Sequence, residues 1–331
     1  MPLRLLLQNP EMRSTKEKFH PLYSWGPLFL QSFNDWMEDR ALRFSAALAY
    51  YSIFAMAPLV IIAISVAGLI FGQEAARGEI YQQIEWLLGP KGAGEIQSLI
   101  QASSNAPKSI IATIVGIVTL LIGASGVFGQ LKDALNSIWG VRLKPGGGIL
   151  SSLKEYLLSF SMVLAVGFLL IISLLMSAVL QAINNFMIGY LPIPSFVVPL
   201  AALASFAILS LLFALIYKAL PDVEIGWHDV WIGSVVTAIL FTVGKFLISL
   251  YLGTSSVASS FGAAGALILI LVWVYYSTTI FLLGAEFTKV YARRFGSGIC
   301  PSSKAEFVSA AMRDEQGLPS SAAKKAESAR A

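Results

Sequence analysis

The stretch Val230-Trp-Ile-Gly-Ser-Val-Val-Thr-Ala-Ile-Leu-Phe-Thr-Val-Gly-Lys-Phe-Leu-Ile-Ser-Leu-Tyr251 holds one charge, Lys245, in 22 residues. Its apolar residues neither alternate nor keep to one helical stripe, so a helix built from it is apolar all round, as a buried or membrane-spanning helix is. At 1.5 Å per residue it is about 33 Å long, close to the roughly 30 Å hydrocarbon core of a bilayer. Charge gaps of the same kind recur outward from it. Between Arg43 and Glu74 lie 30 uncharged residues, between Lys108 and Lys132 there are 23, and between Glu155 and Lys218 there are 62. From Asp229 to Glu286 the only charge is Lys245. The first two gaps accommodate one span each. The third breaks at Tyr190-Leu-Pro-Ile-Pro-Ser195, where two prolines stop a helix, and the fourth at Gly253-Thr-Ser-Ser-Val-Ala-Ser-Ser260. The expected fold is all-α, a polytopic membrane protein of six transmembrane helices at about 45–71, 110–130, 154–181, 195–217, 230–251 and 263–288. Barrel strands would have to alternate apolar and polar residues, and these runs do not.

Composition agrees. Only 13% of the residues are charged and 56% are hydrophobic, whereas a soluble domain carries about a quarter charged residues. Counted by expected side, 19 of the 23 lysines and arginines fall on one face and three (Arg77, Lys91, Lys108) on the other, with Lys245 inside a span. The positive-inside rule then places both termini in the cytoplasm. The net charge of +4 is read as loops facing anionic lipid, not as a nucleic-acid surface. One cysteine, Cys300, and two distant histidines, His20 and His228, offer no disulfide or zinc pattern. No cofactor, metal site or catalytic group is expected.

The chain divides into a cytoplasmic segment 1–43, a membrane domain 44–290 and a tail 291–331 whose Ser, Ala, Lys and Glu content reads as disordered. Pro27–Arg40 reads as a cytoplasmic surface helix with Phe29, Phe33, Trp36 and Met37 on one side. The loop 72–109 reads as two amphipathic helices on the outer membrane surface, with Ile80, Ile84, Leu87 and Leu88 sharing a face.

Lys245 stands out, because a cation inside a span is costly and marks function by default. It sits about 22 Å from the cytoplasmic end, in the outer half, and either lines a cavity or snorkels to the headgroups. Further candidates for a transport path are Tyr50 and Tyr51, Pro58, which kinks its helix, the glycine-rich Gly123 and Gly126, and Ser259 and Ser260 at the fourth gap's break. Arg40, Arg43, Asp229 and Glu286 lie near span ends on the cytoplasmic side, as clamping salt bridges or a gate.

Ala46-Ala-Leu-Ala-Tyr-Tyr-Ser-Ile-Phe54, Gly123-Ala-Ser-Gly-Val-Phe-Gly129, Ala134-Leu-Asn-Ser-Ile-Trp139, Leu220-Pro-Asp-Val223, Tyr251-Leu-Gly-Thr-Ser-Ser256 and Gly284-Ala-Glu-Phe-Thr-Lys-Val-Tyr-Ala292 together resemble the YihY/BrkB family of bacterial inner-membrane proteins. The resemblance covers about Phe33 to Arg294. It implies six spans in a bacterial inner membrane and no settled activity: members have been named as virulence factors, putative transporters and, in an old label, ribonuclease BN. Nuclease chemistry needs a metal cluster or a paired acid and base, which these spans do not hold, so no enzyme is expected. The expected function is a transporter or flippase for an anionic lipid or solute, with membrane lipids as partners and no nucleic acid. The alternative is a membrane scaffold that organises envelope proteins.

Overall fold

The computed structural model describes residues 25–54, 110–144, 197–254 and 265–309, with a few single positions elsewhere. The expected span 154–181, most of the loop 72–109, Pro58, Ser259 and Ser260 lie outside the described residues. In chain order the elements are α1 (Trp25–Glu38), α2 (41–54), α3 (Ile110–Trp139), β1 (Val141–Leu143), α4 (Val197–Ala219), β2 (Val223–Ile225), α5 (Trp227–Thr254), α6 (Gly265–Arg294), β3 (Ile299–Pro301) and β4 (Ala305–Phe307). Among the described residues, three helices are long and apolar enough to cross a membrane, at Ala202–Ala219, Trp227–Ile248 and Leu267–Arg294.

The helices outrun the spans read from sequence. The 30 residues each of α3 and α6 make rods of about 45 Å, so about ten residues of each extend past a bilayer core. In α3 that extension carries Lys132, Asp133 and Asn136, residues with no place in a lipid-facing helix. Proline ends α4, since Pro221 follows its last turn and cannot continue the ladder. Between α1 and α2 the chain turns through Arg40, whose φ of +53° is left-handed.

Packing of α5 on α6 follows from two matched Gly-x-x-x-Thr sequences running antiparallel. A methyl group on Gly233 would overlap Thr288, and one on Gly284 would overlap Thr237. Each threonine hydroxyl donates to the carbonyl of the glycine four residues before it, Thr237 to Gly233 and Thr288 to Gly284, both at 2.7 Å. The hydroxyls are thereby satisfied within their own helix, and the bare glycine backbone of the partner receives them. Farther along, Gly244 faces Ile280 and Tyr276. From α4, the fully buried Tyr217 donates to the Phe281 carbonyl at 2.7 Å and stacks among Phe213 and Phe281. α1 lies across α6, burying Leu28, Ser32 and Trp36, while Phe29 packs on Phe287 at 4.9 Å between ring centres.

The start of the tail departs from the expected disorder. α6 continues to Arg294, and the next fifteen residues fold back as two strands. β3 pairs antiparallel with β2 (Glu224 opposite Cys300), and β4 pairs antiparallel with β1 (Arg142 opposite Glu306). Compositional polarity suggested a solvated tail, but alternation in Val223-Glu-Ile225 gives β2 one face to bury, and in β4 Ala305 is buried while Phe307 stays half exposed.

Candidate functional site

The strands gather the ends of α3, α4 and α6 and the start of α5 into one polar platform. Lys132 and Asn136, one turn apart on α3, both reach the segment between α4 and β2. Asn136 Nδ2 donates to Asp222 Oδ2 at 2.8 Å, the Asp222 backbone N–H donates to Asn136 Oδ1 at 2.8 Å, and Lys132 Nζ lies 3.0 Å from Asp222 Oδ2. The Ser302 N–H donates to the Asp222 carbonyl at 2.9 Å. Asp222 therefore ties α3, the α4–β2 turn and the tail together.

Beside this knot, between the α1–α2 corner, the end of α3, β1 and the tail, lies a cavity of about 590 Å³. Arg40, Arg43 and Arg142 line it with Asp39 and Asp133, the polar side chains of Gln130, Asn136 and Ser137, and an apolar side formed by Phe44, Ala47, Leu143 and Val308. One of the two aspartates is already compensated: Asp39 Oδ2 lies 3.0 Å from Lys289 Nζ. The lining itself holds three arginines against these two aspartates, and of the three Arg142 is paired with Glu306 at 2.7 Å. Arginine presents a planar fork suited to phosphate and carboxylate. The apolar side belongs partly to α2, the helix leading into the first charge-free stretch.

Behind Asp39 the charge continues into the core. Lys289 Nζ donates to Glu286 Oε1 at 2.6 Å, and the Asp39, Glu286 and Lys289 side chains are 3%, 0% and 6% exposed. Among the described residues, the second oxygen of Glu286 accepts no hydrogen bond. The triad fastens the α1–α2 corner, and with it one wall of the cavity, to α6.

The four cytoplasmic residues singled out from sequence separate. Arg40 and Arg43 line the cavity. Glu286 stands behind it, joined to the wall through Lys289 and Asp39. Asp229 is elsewhere: its Oδ2 accepts the Ser297 N–H and hydroxyl, both at 2.8 Å, and its carboxylate fills the space beside Gly296. It caps the turn after α6. Of the path candidates, the Tyr51 ring packs against Gly126, where an added methyl would come within 2.7 Å of it, and Gly123 is buried on the same helix. Tyr50, more than half exposed, packs edge-on against Tyr51 and Phe54. Lys245 is partly buried on α5, between Gly244, which receives α6, and the exposed Phe246 and Leu247.

Sequence reasoning missed Asp39, Lys132, Asn136, Arg142, Asp222, Lys289 and Glu306. The spacing of Glu286 and Lys289, three residues apart on one helix, was a readable signal. Asp39 is 250 residues from Lys289, a separation no local pattern spans.

Residues 32–307 match the family model described as virulence factor BrkB. The chain is similar to a UPF0761 membrane protein of Teredinibacter turnerae, 27% identical over 266 residues covering 78% of this chain and 59% of that one. It is similar to one of Saccharophagus degradans, 26% identical over 286 residues covering 82% and 61%. One of Aggregatibacter aphrophilus is 26% identical over 268 residues, covering 80% and 91%. The chain spans about three fifths of the length of the first two relatives. No solved structure matches it.

Proposed function

The chain belongs to the virulence factor BrkB family of membrane proteins, and from that premise we propose that it is a transporter or flippase for an anionic amphiphile, working in a bacterial inner membrane. The observation that carries this reading is the cavity whose lining combines Arg40, Arg43 and Arg142 with the apolar Phe44, Ala47, Leu143 and Val308. A phosphate or carboxylate fits the arginine forks, and a chain attached to it fits the apolar wall. We place the cavity at the cytoplasmic face of a six-span bundle with both termini inside. The support is that Arg43, Lys132, Arg142, Lys218 and Lys289, all on the positive-rich side of the charge bias, lie around the platform that the strands join. In this reading Tyr51, Gly126 and Lys245 lie farther along the path. The protein performs no covalent chemistry, needs no cofactor, and meets lipid rather than nucleic acid.

The test is transbilayer movement of a labelled phosphatidylglycerol in proteoliposomes holding the full chain. Wild type accelerates the movement, and Arg43→Gln and Lys245→Ala slow it at least several-fold. If wild type moves neither anionic lipid nor small anionic solutes, and both variants keep the envelope phenotype of the wild type in cells, the protein is a scaffold instead.

A further inference from the structure

We propose that the Arg142–Glu306 ion pair is a latch released by ligand: an oxyanion bound in the arginine-lined cavity takes Arg142 from Glu306, and β4 then leaves β1. This rests on the reading of the cavity as an anion site.

Arg142 belongs to two structures at once. As a residue it lines the cavity, with its neighbours Val141 and Leu143. Its fork is also occupied, Nε donating to Glu306 Oε1 at 2.9 Å and Nη2 lying 2.7 Å from the same oxygen. Glu306 sits directly opposite it across the β1–β4 ladder. A carboxylate of the protein thus holds the group that an anionic ligand would seek.

The strength of the pair decides whether it can let go. Its side chains are 39% and 37% exposed, against 11% and 16% for Lys132–Asp222. An ion pair so open to water contributes little net stability, so a ligand that also engages Arg40 and Arg43 outcompetes it. The strand behind it is equally slight. β1 and β4 pair over three residues, extended by the Lys144 N–H to the Lys304 carbonyl at 3.0 Å and the Val308 N–H to the Gly140 carbonyl at 2.9 Å, and so short a two-stranded ladder is marginal by itself. β3 stays in place, because Ser302 donates to the Asp222 carbonyl and β2 pairs with it. Movement is therefore confined to about residues 303–308, and Val308, a wall of the cavity, moves with it. Occupancy of the cavity would be signalled to the cytoplasm as a freed tail, and Glu306 would set the ligand level at which this happens.

The test uses the full chain in phosphatidylcholine nanodiscs, with short-chain phosphatidylglycerol as probe and inorganic phosphate as the source without an acyl chain. Binding is read by calorimetry, and release by the rate of tryptic cleavage after Lys304. Glu306→Gln should tighten probe binding by up to about fivefold, the range an exposed pair commands. Probe should speed cleavage in wild type and leave the already faster Glu306→Gln unchanged. The exchange variant Arg142→Glu with Glu306→Arg, which keeps the strand pair but removes the cavity's arginine, should lose the probe response. If phosphate alone gives the response the ligand is a free oxyanion; if only the lipid does, the apolar wall takes part. If Glu306→Gln binds probe no tighter while Arg43→Gln weakens binding, the anion site stands and the latch is wrong. Slower cleavage on adding probe also overturns the latch. A wild type that binds neither probe overturns both.

Discussion

Replacing Lys289 with methionine takes one positive charge out of a site nearly closed to water while keeping most of the side chain's length. In the wild type the ammonium contacts Asp39 at 3.0 Å and Glu286 at 2.6 Å, and none of the three side chains is more than 6% exposed. Without it, two carboxylates share the site with no ammonium between them, and Asp35 adds further negative charge nearby. Breaking a buried pair by removing one partner costs about 3–5 kcal/mol. Two carboxylates lose their shared partner here, and burial leaves almost no solvent screening, so the upper half of that range is expected. At about 2 °C per kcal/mol, the low end of the range because the chain is long, the unfolding midpoint falls by about 8–10 °C. The assay is tryptophan fluorescence of detergent-purified protein at one fixed heating rate, because the midpoint of an irreversible transition depends on scan rate. The triple variant Asp39→Leu, Glu286→Met, Lys289→Met removes the charges together and should recover to within a few degrees of wild type, since apolar replacement of a buried cluster is often neutral or stabilising. A single variant within 2 °C of wild type would refute the reasoning about desolvation. A triple variant less stable than the single one would mean that the carboxylates stabilise the corner by contacts of their own.

Alanine at Gly233 or Gly284 puts a methyl group into the facing threonine, so α5 and α6 must separate, and each variant should lose about 1–3 kcal/mol in the same melting assay. Gly129→Ala on α3 is the contrast: its methyl would meet no atom within 4 Å, and it should gain about 0.5–1 kcal/mol from helix propensity. Asn136→Ala strips Asp222 of the partner of its backbone N–H and of one carboxylate contact, for a loss of about 1–3 kcal/mol. Arg40→Gly relieves a left-handed residue of its Cβ, but the added freedom of the unfolded chain offsets that gain, so stability should change by less than about 1 kcal/mol while binding of anionic lipid weakens.

What the sequence made legible was whatever repeats or is missing over a short range. Absence of charge over 195–217, and over 230–251 but for Lys245, located α4 and α5 closely, because the cost of a bare charge in lipid is paid residue by residue. Helix ends were less legible. The expected end at 130 coincides with the first charges after the gap, but α3 continues to Trp139 because Lys132, Asp133 and Asn136 find partners or polar surroundings on the platform. The two short ladders were hidden for the same reason. Three-residue strands carry too few alternating positions to register as a pattern, and their partners lie up to 166 residues away, as for Val141 and Phe307. At the site, Arg40 and Arg43 were found because they border a span. Asp229 and Glu286 were grouped with them by membrane depth alone, which cannot tell which side of a helix a residue occupies.

The platform's ion pairs grade from closed to open, and the grading runs in a direction a transport cycle would use. The Asp39–Lys289–Glu286 cluster is sealed and holds the α1–α2 corner against α6. The Lys132–Asp222 pair, still mostly enclosed, joins α3 to the turn after α4. The Arg142–Glu306 pair is open and lies across the short β1–β4 ladder. Buried pairs are costly to break and exposed ones are not. A ligand with a few charge-assisted hydrogen bonds to offer can therefore rearrange the last without disturbing the first two. If so, substitutions at Lys289 or Asp222 should act on stability and those at Glu306 on ligand response. A Glu306 variant that melts several degrees below wild type would break that ordering.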